Sequence, residues 1–203
     1  MAVISNGTTI MDAGAISVGS GKMILIKTLT ASGSANLSFV HGASSVVLDD
    51  TYDSYVFKFT DIHAATDDVF FTFGGRDGDT NYDATKTTTA FGAYNNEGGN
   101  DQALFYSTAR DLAQSTDFQS IMVDSLGIGN DESAAGELVL YSPASTTFVK
   151  HFSARTNHYQ ESNYNFDSHV AGYFNVTAAI DGIQFKMSSG NFDGVIKLYG
   201  IGG

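Results

Sequence analysis

The chain has 203 residues, 42% hydrophobic and 12% aromatic, and its ten Lys and Arg against 22 Asp and Glu leave a net charge of −12. That balance excludes non-specific nucleic-acid binding, which rests on clustered basic side chains, and docking on anionic membranes. With no cysteine, a disulfide scaffold, a thiolate metal site and a thiol nucleophile are excluded as well.

Taken in chain order, residues 1–21 are small and polar and read as an N-terminal arm, with residues 22–203 as one β domain. The first residues carry neither a basic n-region nor an apolar h-region, so no signal peptide is expected and synthesis in the cytoplasm is. An arm of this composition frays alone, so a neighbouring subunit is expected to hold it. Met23–Leu29 is the first strand, Ala35–His41 the second. Tyr55, Phe57 and Phe59 alternate with Val56, Lys58 and Thr60, the signature of a half-buried strand, and Val69, Phe71 and Phe73 repeat it. Thr87–Tyr94, Ala103–Tyr106 and Phe118–Val123 follow, with a turn or two of helix expected at Ser107–Gln114. Glu137–Tyr141 and Thr147–Phe152 bracket a turn at Ser142-Pro143-Ala144-Ser145, and His169–Phe174 comes next. Ile183–Met187 and Val195–Leu198, joined by Ser188-Ser189-Gly190-Asn191, read as a β-hairpin that closes the sheet. About eleven short strands, 22 glycines and a single proline, Pro143, predict an all-β, jelly-roll-like antiparallel sandwich.

Catalytic motifs are sparse. No G-x-S-x-G string is present, the five histidines (His41, His63, His151, His158, His169) do not pair at i, i+4, and Gly19 to Gly21 lacks the lysine spacing and the following helix of a phosphate loop. His151 reads as a residue on a strand face. Asn6, Asn36 and Asn175 open glycosylation sequons that mean little without secretion. Asp77, Asp79, Asn81 and Asp83 alternate as oxygen ligands of a calcium loop do, but Tyr82 stands where an EF-hand has glycine and Thr88 where it has glutamate. A calcium site and a plain acidic hairpin loop are both open. Asn130-Asp131-Glu132 reads as a solvated turn. Tyr159, Tyr164 and Phe166, among Asn157, Glu161, Asn163 and Asn165, form a stretch that suits either glycan contact or a loop packed by its own aromatics.

The strings KTLTASGSANLSFVHG, TYDSYVFKFTDIHAATDDVFF, STTFVKHFSAR, AGYFNVTAAIDGIQFKMSSGN and IKLYGI resemble a family of short virion structural proteins of marine bacteriophages. The resemblance runs from about Lys27 to Ile201, and its most specific part is the closing FKMSSGN and IKLYG. It implies a non-enzymatic protein of the virion exterior with a jelly-roll-like fold, and it carries no catalytic residues. The first expectation is a capsid-decoration protein that docks on the assembled shell and stabilises it by mass action. Val3, Ile4, Ile10 and Met11 of the arm would contact the major capsid protein or other virion proteins, with a homotrimer favoured by capsid symmetry. The alternative is a tail-fibre or receptor-binding head that recognises host surface glycans.

Overall fold

The structure is a computed structural model that describes residues 22–202 together with the backbone of three short strands in the arm. Fifteen strands are assigned and, among the described residues, no helix. In the arm, β1 (Val3–Ser5), β2 (Thr8–Asp12) and β3 (Ala15–Ile16) form a three-stranded antiparallel sheet of their own. The side chains of Val3, Ile4, Ile10 and Met11 lie outside the described residues.

The body is an antiparallel β-sandwich. β4 (Met23–Ser34), β6 (Ser54–Ala64), β8 (Lys86–Asn96), β9 (Gln102–Tyr106), β11 (Ala134–Tyr141), β12 (Lys150–Gln160), β13 (Tyr164–Phe174) and β15 (Phe192–Ile201) make an eight-stranded sheet, ordered β4-β15-β6-β11-β12-β13-β8-β9. β5 (Leu37–Val40), β7 (Phe71–Arg76), β10 (Gln119–Ser120) and β14 (Gly182–Met187) make a four-stranded one, ordered β10-β7-β14-β5. From β4 to β8 every successive strand changes sheet, and so do β14 and β15, which is the jelly-roll-like element of the topology.

Alternation explains the core. In β6, Tyr55, Phe57, Phe59 and Ile62 are buried, and in β14 so are Ile183, Phe185 and Met187. The two inner faces meet in edge-to-face aromatic pairs, with ring centroids 5.3 Å apart for Phe57–Phe185 and for Phe59–Phe71, and 5.0 Å for Phe73–Phe152. Such pairs add roughly 0.5–1.5 kcal/mol each to the burial of their area.

Three expectations are corrected. The closing segments do not form a hairpin: β14 pairs with β7 and β5, whereas β15 pairs with β4 and β6 in the other sheet. Four linking residues span roughly 13 Å at most, enough to arch across sheets packed about 10 Å apart. The arch is held on both sides, by Ser188 N–H to the Phe70 carbonyl (2.8 Å) and Asn191 Nδ2 to the Gly33 carbonyl (2.9 Å). Its Gly190 has φ +74°, and a Cβ there would strike Thr66 Oγ1. Second, Ser107–Gln114 is not helical. Its backbone runs along β8, which needs partners beyond the end of β9: Ser107 N–H reaches the Ala90 carbonyl (2.9 Å) and Thr88 N–H the Leu112 carbonyl (2.9 Å). Third, of the expected strand Phe118–Val123, Gln119 and Ser120 alone enter a ladder; Ile121, Met122 and Val123 continue as a buried cover over the long sheet.

Candidate functional site

A sheet of eight strands is wider than the four that face it, and that mismatch creates the site. Residues 119–126 extend the cover across β12, β13 and β8. Thr156 Oγ1 donates to the Ile121 carbonyl, Val123 N–H donates to Ser168 Oγ (3.0 Å), and Val123 sits on Gly92 so closely that a Cβ there would lie 2.6 Å from it. The chain then turns back to bridge Val69 at Leu126. Beyond Val123 the inner face of β8, β9 and β13 is only partly covered, and the residues on it become large: Tyr94, Phe105 and Tyr164, each half-buried, around a buried Phe166.

Register places them together. Phe166 is opposite Tyr94, Tyr164 opposite Asn96, and Phe105 opposite Gly92. Ring centroids are 5.4 Å apart for Tyr94–Phe166, 5.6 Å for Tyr94–Tyr164 and 5.9 Å for Tyr94–Phe105. Together with Asp101, Asp124, Gln160 and Ser162 they line a cleft of about 380 Å³, within the range of small-ligand sites. Asp101 fixes two of the rings: Tyr94 donates to its Oδ1 (3.3 Å) and Tyr164 to its Oδ2 (2.7 Å). That hydrogen bond to Asp101 is the main reason the Tyr164 hydroxyl titrates above its ordinary range.

Behind the cleft, His158 stacks on the far side of the row, 5.3 Å from Phe166 with ring planes 10° apart. It is 1% exposed, and neither ring nitrogen has a hydrogen-bond partner among the described residues. Burial pushes its pKa down to about 4, so the imidazole is neutral at neutral pH.

The glycan stretch expected from the sequence therefore divides. Tyr164 and Phe166 are two residues apart on one strand and share the cleft. Tyr159 is opposite Asn165, on the other face of the sheet, where its hydroxyl donates to Asn163 Oδ1 (2.7 Å). Strand parity separates it from its expected partners. Tyr94, Asp101, Phe105 and Asp124 were not legible as a group, because they come from separate strands and loops.

The outer face of the long sheet has a larger depression, about 520 Å³, above Ala135 and Gly136. It holds no aromatic side chain, and its charges are spent on one another: Lys58 on Glu137 (3.0 Å) and Arg155 bidentate on Asp167 (2.9 and 2.8 Å). His151 is exposed on that outer side, as a face residue should be.

At the opposite end of the sandwich the loop after β7 gathers Asp77, Asp79 and Asp83 within 4.8 Å of one another. Asn81 does not extend this set outward; its backbone N–H donates to Asp79 Oδ1 (2.7 Å). Two lysines lie close by with no exposure at all, Lys86 and Lys150. Lys150 Nζ donates to the carbonyls of Ser145 (3.1 Å), Phe148 (3.2 Å) and Val176 (2.8 Å), whereas Lys86 Nζ donates to that of Asp117 (2.6 Å). Burial lowers both lysines, Lys86 to about 8, against the opposing pull of Asp117 and Asp83 on Lys86 and of Asp77 on Lys150. Three carboxylates are short of the six to eight oxygens calcium takes, so backbone oxygens or water would have to complete a site here.

Comparison of the chain with protein-family models, curated proteins and solved structures finds no match in any of the three.

Proposed function

We propose that the chain is a non-enzymatic, glycan-binding protein of a bacteriophage virion exterior, a receptor-binding head rather than a shaft. The aromatic cleft carries this reading. A sugar ring presents apolar C–H faces and a rim of hydroxyls, and the cleft offers aromatic faces beside carboxylate, amide and hydroxyl groups in a shallow opening on rigid strands. The phage assignment is supported by the resemblance of the sequence strings alone. Screening of the full chain on an array of bacterial surface glycans should give binding that Tyr164→Ala and Phe105→Ala each reduce by about tenfold or more, as loss of a ring and the apolar area it buries costs roughly 1.5–3 kcal/mol. Binding that ignores both substitutions would refute the cleft, and release of reducing ends from a bound glycan would refute the non-enzymatic assignment.

Capsid decoration is the second reading, favoured by the arm. Its three strands of two to five residues hydrogen-bond among themselves, and a sheet so small is marginal without a surface to pack on. In this reading the arm docks on the major capsid protein, and the chain is a homotrimer. Deleting residues 1–21 should abolish attachment to capsids and leave the sandwich folded; undiminished attachment would exclude it.

A further inference from the structure

We infer that the cleft selects glycans bearing free amino groups, such as glucosamine-type sugars, over their N-acetylated counterparts and over uronic-acid glycans. This rests on the glycan reading of the cleft and adds its charge preference. The lining holds two carboxylates, Asp101 and Asp124, and neither lysine nor arginine. Each Asp101 oxygen accepts one tyrosine hydroxyl and keeps lone-pair capacity on the open side. Asp124 accepts the Ser125 N–H through Oδ1 (2.7 Å), and its Oδ2 takes no hydrogen bond among the described residues.

The surroundings deepen the negative potential. The antiparallel Val69–Leu126 bridge sets Asp68 and Asp67 along Gly127 and Ile128, on the same stretch of chain that carries Asp124. Glu132 and Glu161 converge on Gly127, where a Cβ would lie 2.3 Å from Glu132 Oε2 and 3.0 Å from the Glu161 Cβ. Glu161 accordingly sits above its ordinary range, chiefly through Asp67 and then through burial, Asp68, Glu132 and Asp124. An ammonium group stacked among Tyr94, Tyr164 and Phe166 would meet both the negative faces of the rings and a carboxylate. A uronate would meet like charge, and an N-acetyl group would lose the ionic component.

Titration calorimetry of the full chain with tetramers of glucosamine, N-acetylglucosamine and galacturonic acid tests this. At about 0.05 M salt the amine form should bind roughly tenfold tighter than the N-acetyl form, shrinking to about twofold near 0.5 M as screening sets in; the uronate should bind weakest. Asp124→Asn should lower the amine to N-acetyl ratio. Tyr164→Ala keeps the charge and should weaken amine binding by about tenfold or more; amine binding that it leaves unchanged is non-specific attraction to an acidic protein and overturns the inference. Equal or tighter N-acetyl or uronate binding, lost in Tyr164→Ala, overturns the charge preference while leaving the glycan reading intact. If no tetramer binds, the inference fails, and the glycan array decides the glycan reading separately.

Discussion

Two rows of side chains cross the same three strands and meet opposite environments. Lys150, Phe174 and Lys86 are in register across β12, β13 and β8; eight residues along each strand, so are His158, Phe166 and Tyr94. The first row is sealed beneath loops, and its charge is accommodated because loop carbonyls turn inward to accept the ammonium protons. The second row lacks such a cap. Its imidazole is neutral and has no hydrogen-bond partner among the described residues, Phe166 is buried against it, and Tyr94 at the end of the row stands half-buried at the cleft. Whether a strand end becomes scaffold or binding surface depends here on what the connecting loops supply, not on the strands.

The largest expected effect breaks the first row. Lys150→Met deprives three carbonyl oxygens of their donor and should cost about 3 kcal/mol in denaturant unfolding. Lys86→Met orphans one carbonyl while removing a desolvated charge, and should change stability by no more than about 1 kcal/mol. Equal losses in the two variants would contradict the role assigned to the carbonyl cap.

The next effect reads the second row. His158 is depressed from 6.5 to about 4 in the folded protein. The unfolded chain therefore takes up a proton that the folded one refuses as pH falls between those values, and stability drops across that window. His158→Phe keeps a flat ring against Phe166 and should be more stable than the parent by about 2 kcal/mol at pH 5, with little of that gain at pH 8. A gain independent of pH would mean that the parent imidazole is protonated, or hydrated, in place.

Most strands were legible because their alternation is strong: Tyr55, Phe57 and Phe59 are all buried, as the period-two pattern requires, although Val56 on the opposite face is buried as well. Pairing partners were not legible. Alternation states which face a residue takes, and it is the same whether Ile183–Met187 turns back on itself or arches to the opposite sheet. Burial of Lys86 and Lys150 was hidden for a related reason, since lysine at an inward position reads as a break in the pattern until the carbonyls that receive it are known. The cleft was half visible. Tyr164 and Phe166 share parity within one strand, but Tyr159 lies across a turn at Gln160–Asn163 whose length had to be known before its face could be assigned. Asp101 and Asp124 carry no local signature; the return of the chain at the Val69–Leu126 bridge is what brings the second of them to the aromatic rings.

The arch at residues 188–191 also orders events in time. β15 lies between β4 and β6, and Gly33 N–H is bonded to Asp193 Oδ1 (2.7 Å) across 160 residues of sequence. Two early strands thus wait on a ribosome that has yet to make their neighbour. Until residues 192–201 emerge, β4 and β6 each have an edge with no partner, so the long sheet cannot close before that last strand is made. A nascent chain stalled before Phe192 is the species that chaperones would have to shield.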